Sequence, residues 1–155
     1  MASVRHWNTA AATRRPAELE PGEIVWASIV NGIENPLARG KARPVILIEP
    51  SGWAWKTIGL TTRPRHRDGT SRVAIPSARG VGLKHPGWLW SGKLCSTSGI
   101  DIQDHIGWVD IPLAFEVIKL AGLTGPTVHA LLSAARDHHG ASPGADLSLI
   151  EGGSA

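Results

Sequence analysis

Apolar residues along the chain change their spacing once. Up to about residue 110 they fall in short runs bounded by Gly and Pro; beyond Pro112 they recur every three or four positions. The first pattern predicts short strands and the second predicts helices. Pro21-Gly22 is a turn signal, and EIVWASI, from Glu23 to Ile29, reads as a first strand rich in β-branched and aromatic residues. Residues 30–42 (VNGIENPLARGKA) form a long loop, a length usually kept for function or mobility. Arg43-Pro44 opens VILIE at 45–49, a continuous apolar run expected to be a fully buried strand. A turn at Pro50-Ser51-Gly52 leads to a third strand, WAWKTIGL at 53–60, with Thr61-Thr62 at its end.

The most basic stretch, RPRHRDGTSR, follows at 63–72 as a loop. Val73 to Pro76 reads as a short strand, 77–87 as a Gly-rich loop, and WLWSGKLCST at 88–97 as one strand bulged at Gly92. Residues 100–107 read as a short connection in which Asp101 or Asp104 caps a turn. Leu113, Val117, Leu120 and Ile118 then mark a helix that starts at Pro112 and stops at Gly122 or Gly125. A second helix, PTVHALLSAARDHH, carries Val128, Leu131, Leu132 and Ala135 on one side, with Gly140 as its stop. The expected organisation is a flexible arm at 1–20, a mainly β barrel domain at 21–123, an additional C-terminal helix at 124–140, and a disordered tail at 141–155. Five or so short strands followed by a helix describe a small barrel with the helix packed on it.

Composition narrows the class more than the function. The 155 residues suit one domain with tails, and 18 Gly with 11 Pro favour frequent turns. Seven Trp with 42% hydrophobic residues exclude a disordered chain. A formal charge of +3 points only weakly to an anionic partner, and a solvated basic surface accounts for it nearly as well. Cys95 is the one cysteine, which excludes an internal disulfide and a Cys-rich zinc site. No apolar run is long enough to span a bilayer. The first 20 residues lack the apolar core of a secretory signal, and Glu18 and Glu20 argue against a transit peptide, so a cytoplasmic protein is expected.

The motif order is strand, long loop, Gly40-Lys41-Ala42-Arg43-Pro44-Val45-Ile46-Leu47-Ile48, then a strand ending in Leu60-Thr61-Thr62. This order resembles the MazF/PemK family of toxin endoribonucleases, and it continues more loosely through 88–110 and into the helix at 112–121. The resemblance implies an SH3-like barrel and a homodimer held inactive by a protein antitoxin. It implies cleavage of single-stranded RNA with no metal and no cofactor. Carried over position by position, Arg43 and Thr61 are the catalytic pair, with Thr62 as the alternative register. Lys41, Arg63, Arg65, His66, Arg67 and Lys93 are the expected RNA-binding residues, grouped around the basic loop. The chain departs from the family pattern twice: Pro36-Leu37-Ala38-Arg39 replaces a polar Glu-Gln stretch, and Gly92-Lys93 stands where an acidic residue followed by Gln is usual.

The chemistry of the residues agrees with the resemblance. RNA cleavage by the neighbouring 2′-hydroxyl passes through a transition state with added negative charge on phosphorus oxygens. A guanidinium grips two such oxygens and a hydroxyl adds a third hydrogen bond, each preorganised donor contributing about 3 kcal/mol. Arginine stays protonated, so Arg43 is not an ordinary base. A histidine or carboxylate is the usual choice, and His66 and His85 lie on loops within reach of such a site. Trp53, Trp55, Trp88 and Trp90 suit a core or interface, or stacking of unpaired bases. Two other readings stay open: a non-catalytic nucleic-acid- or protein-binding module on the same barrel, and a gyrase-directed toxin.

Overall fold

The computed structural model describes residues 19–28 and 42–139; the expected arm up to residue 18, the loop residues 29–41 with Lys41, Gly140 and the tail lie outside them. Six strands and two helices make up the fold: β1 Glu23–Ser28, β2 Ala42–Ser51, β3 Ala54–Thr61, β4 Trp88–Leu89, β5 Cys95–Ser98, β6 Ile102–Trp108, α1 Ile111–Ala121 and α2 Pro126–His139. The strands form one antiparallel sheet in the order β4-β3-β2-β1-β6, with β5 also paired to β3. Among the described residues no ladder joins β6 to β4 or β5, so the sheet is open.

The VILI run explains why β2 lies in the middle. Alternate residues of a strand point to opposite faces, and Val45, Ile46, Leu47 and Ile48 are all fully buried. Ile46 and Ile48 join Ile24, Ile58, Leu60 and Leu89 in one cluster, which α1 and α2 cover with Leu113, Val117 and Leu131. Val45 and Leu47 join Leu19, Val25, Ala27, Trp55 and Ile102 in a second cluster on the other face. Leu19, expected in the arm, is thus part of the core.

Four expectations change along the strands. β2 runs on through Pro50 and Ser51, and the hairpin turn is Gly52-Trp53, closed by the Ser51–Ala54 pair. Gly52 has φ +63° and Trp53 does not have a positive φ, which is the pattern of a two-residue type II′ hairpin. The 88–97 segment is two strands, not one. β3 offers β5 its first half and β4 its last two residues, with 90–94 crossing between them. A Cβ at Gly92 would stand 2.3 Å from the Leu120 carbonyl oxygen, so this crossing passes hard against the end of α1. The expected connection at 100–107 is a 3-10 turn followed by β6, a full partner of β1. Val73 to Pro76 is not a strand: Ala74 makes an isolated bridge to Trp88, the Leu89 amide donates to the Val73 carbonyl at 2.8 Å, and Pro76 lies in a turn.

Both helices fall where the periodicity predicts. Asp110 caps α1 by accepting from the Leu113 amide at 2.9 Å, and Gly122 ends it with φ +64°. The end of α2 is tied to β6 through histidines. His139 Nε2 lies 2.8 Å from the Trp108 carbonyl, and the His138 ring stacks on Trp108 at 3.4 Å and 3°. His138 also lies 3.6 Å from Glu20, so the pair serves docking rather than the helix dipole alone. Among the described residues no helix is long and apolar enough to cross a membrane.

This packing sets two expected outcomes. Leu131→Ala removes the apolar anchor of α2 and lowers stability by about 2–5 kcal/mol, whereas Asp110→Ala removes one cap and costs about 1 kcal/mol. Urea unfolding with an unchanged m-value checks both.

Candidate functional site

The β2–β3 ladder pairs Val45 with Gly59 and Leu47 with Thr57. Beyond that ladder Arg43 pairs with Ala27 on β1 and Thr61 with Trp88 on β4, and both residues line the same groove. Arg43 is half-buried, on the β1-paired section of β2 opposite Ala27, while the buried Val45 and Leu47 that follow anchor the backbone behind it. Thr61 is almost fully buried, and its Oγ1 accepts from the Arg63 amide at 3.1 Å. That bond occupies the oxygen and leaves the hydroxyl hydrogen for an acceptor in front of it. Thr62, the register alternative, is exposed.

Arg43, Thr61, Thr62 and Arg63 line one groove of about 740 Å³. Its remaining walls come from Trp26 on β1, from Lys84, His85 and Pro86 of the Gly-rich loop, and from Asp104, His105 and Ile106 on β6. Close backbone contact holds the loop wall in place. A Cβ at Gly82, where φ is +97°, would stand 2.4 Å from the Ile106 oxygen, and one at Gly107 would stand 2.0 Å from the Val81 oxygen. Only glycine permits both approaches. Arg43, Arg63 and Lys84 bring fixed positive charge to the described lining against the carboxylate of Asp104, so the groove suits an anion.

The other expected RNA-binding residues stand elsewhere. Arg65, His66, Arg67 and Lys93 do not line the groove. Residues 63–72 form a small hairpin closed by the Arg65–Ser71 bridge and the His66 amide to the Thr70 carbonyl at 2.8 Å. Arg65 donates to the Gly69 carbonyl within it. The Thr70 hydroxyl, then its amide, hydrogen-bond Asp68 and hold that carboxyl below the usual carboxylate range, so an anion stays among the loop's cations. Lys93 is exposed on the crossing between β4 and β5, and its amide donates to Ser91 Oγ.

Arg72 is the tie of this loop. Its guanidinium donates to the carbonyls of Trp90, Arg63 and Arg65 and lies 4.5 Å from the Trp90 ring centroid. Arg43 lies 5.6 Å from the same ring. Trp90 is therefore a shared cation–π surface between the loop tie and the groove arginine, within the range where such contacts are attractive.

The acid–base pair at the groove edge was not legible in the order of residues. Glu23 is fully buried on β1, and its Oε2 lies 2.7 Å from His105 Nδ1. His105 keeps 42% of its side chain exposed and lines the groove. Glu23 opposes Trp108 and Ile24 opposes Gly107, so an unbroken ladder would set Ile106 opposite Val25. Register shifts set His105 there instead, on the face that Val25 shares with Glu23. Lys84 was also missed, as one lysine in a Gly-rich stretch. Among the described residues no group of three or more His, Cys, Asp or Glu is arranged to hold a metal ion.

Arg72→Ala is expected to lower stability by about 1–3 kcal/mol through its orphaned carbonyls and to speed tryptic cutting at Arg63, Arg65 and Arg67. Limited proteolysis with thermal unfolding measures both. No model of a known protein family matches the chain, and a search of curated proteins finds no match.

Proposed function

We propose that the chain is a toxin-type endoribonuclease that cleaves single-stranded RNA without a metal ion, on an SH3-like barrel of the MazF/PemK kind. The observation that carries this reading is the convergence of Arg43, Thr61, Thr62 and Arg63 on one positively lined groove. Arg43 belongs to one and Thr61 and Thr62 to the other of the two segments in which the resemblance locates the active site, and Arg63 opens the basic loop that follows. In this reading the chain acts as a cytoplasmic homodimer restrained by a protein antitoxin.

The geometry suits stabilisation of a phosphorane-like transition state. Arg43 stands on a strand buried behind it, so its guanidinium is presented with little freedom to lose. Its planar fork takes two non-bridging oxygens, and the Thr61 hydroxyl takes a third bond. Arg63 and Lys84 extend the positive lining for the flanking phosphates, while the half-buried Trp26 offers a ring to an unstacked base. A second reading, a binding module without catalysis, is favoured by one observation: Gly92-Lys93 stands in place of the acidic position.

The two readings separate in one assay on a long single-stranded RNA in EDTA. Cleavage by the native chain that falls at least about a hundredfold in Arg43→Ala supports the nuclease. Binding that weakens steeply with salt, with no cleavage, supports the binding module and rejects the nuclease.

A further inference from the structure

We infer that His105 is the general base of this groove and that Glu23 is its positioning residue. The inference rests on the endoribonuclease reading above and supplies the proton acceptor that Arg43 and Thr61 cannot provide.

Burial of Glu23 is the first observation. A carboxylate held away from water costs several kcal/mol unless it is paired, and Glu23 is fully buried with His105 Nδ1 at 2.7 Å. A carboxylate at Nδ1 selects the tautomer that carries its hydrogen there, so the lone pair lies on Nε2. Among the described residues nothing hydrogen-bonds His105 Nε2, and the ring lines the groove that holds Arg43, Thr61 and Arg63. The ring is also braced from behind: Trp108 lies 5.7 Å from it and is itself stacked on His138. A base fixed at one nitrogen, open at the other and lining the same groove as an anion clamp is the arrangement that general base catalysis needs.

Among the described residues the other histidines do not combine these features. His66 stands outside the groove, and His85 lines it from an exposed loop position with no carboxylate bonded to it among the described residues. Asp104 lines the groove beside His105, but its Oδ1 accepts from the His105 amide at 2.9 Å.

The step balances as follows. His105 Nε2 removes the proton of the ribose 2′-hydroxyl, and O2′ forms a bond to phosphorus. The bond from phosphorus to O5′ breaks with its electron pair on O5′, which takes a proton from water. The hydroxide so formed is neutralised by the proton on the His105 imidazolium. The products are a 2′,3′-cyclic phosphate and a 5′-hydroxyl, with no net uptake of protons. Arg43 and Thr61 hold the non-bridging oxygens throughout.

The test uses the full chain and a single-stranded RNA oligonucleotide under saturating and limiting conditions. His105→Ala is expected to lower kcat about 10²–10⁴-fold with KM within about twofold, and added imidazole is expected to restore part of the lost rate, since the site is open to solvent. Glu23→Gln keeps the shape but removes the charge at Nδ1, and is expected to lower kcat more than about tenfold without raising KM. An unaltered kcat in His105→Ala, a change confined to KM, or a loss that imidazole does not rescue overturns the assignment. If His105→Ala does not fold by circular dichroism, His105→Gln takes its place, and a folded Glu23→Gln with native kcat overturns the assignment by itself. In the first two cases cleavage that still depends on Arg43 leaves the nuclease reading standing. A native chain that cuts no RNA removes both.

Discussion

Burial of β2 on both faces is the constraint from which the rest of the arrangement follows. Four consecutive apolar residues, Val45 to Ile48, have no solvent-facing side, so the strand needs a layer above and a layer below. The helices supply one layer through Leu113, Val117 and Leu131. Leu19, Trp55 and Ile102 supply the other. With β2 fixed between β1 and β3, the residue at its entrance has little freedom, and that residue is Arg43. Rigidity at the site is therefore a consequence of core packing some distance away from it.

The second constraint is the irregular pairing of β1 with β6. A one-residue slip in a ladder moves every later side chain to the opposite face. The register shifts along β1 bring His105 to the face of Glu23 and Val25, and they leave Glu23 with a partner for its buried carboxylate. β6 is in turn held from outside by the end of α2, through His139 on the Trp108 carbonyl and His138 on the Trp108 ring. The C-terminal helix thus bears on the groove indirectly, by bracing the strand that carries His105 and Asp104.

The strands with strong apolar character were legible from the pattern of residues, and so were both helices. Pro112 and Gly122 marked the ends of α1 through local chemistry alone, whereas the Asp110 cap emerged from the structure. β6 was not legible. IQDHIGW carries three polar side chains and a glycine among its seven residues, because one edge of it faces the groove and its register is broken by bulges. The split of 88–97 into two strands was hidden for a different reason: the break is imposed by the contact of Gly92 with Leu120, 28 residues away. Of the candidate site, Arg43, Thr61, Thr62 and Arg63 were visible as motif residues. Of the basic loop Arg63 alone lines the groove, while Arg65 and Arg72 donate to loop carbonyls and Asp68 stays charged among them.

By itself the sequence determined what each segment is able to be: a buried strand at VILI, a turn glycine at Gly52, helices from Pro112 and Pro126, and an arginine at the mouth of a rigid strand. These depend on side-chain volume, backbone freedom and local hydrogen bonding, which neighbours in the chain set. Tertiary structure alone decided which face each groove residue occupies and which charges meet. Glu23 and His105 are 82 positions apart and pair only because bulges shift β6 along β1. No local rule encodes that shift, since it is fixed by the packing of the whole sheet.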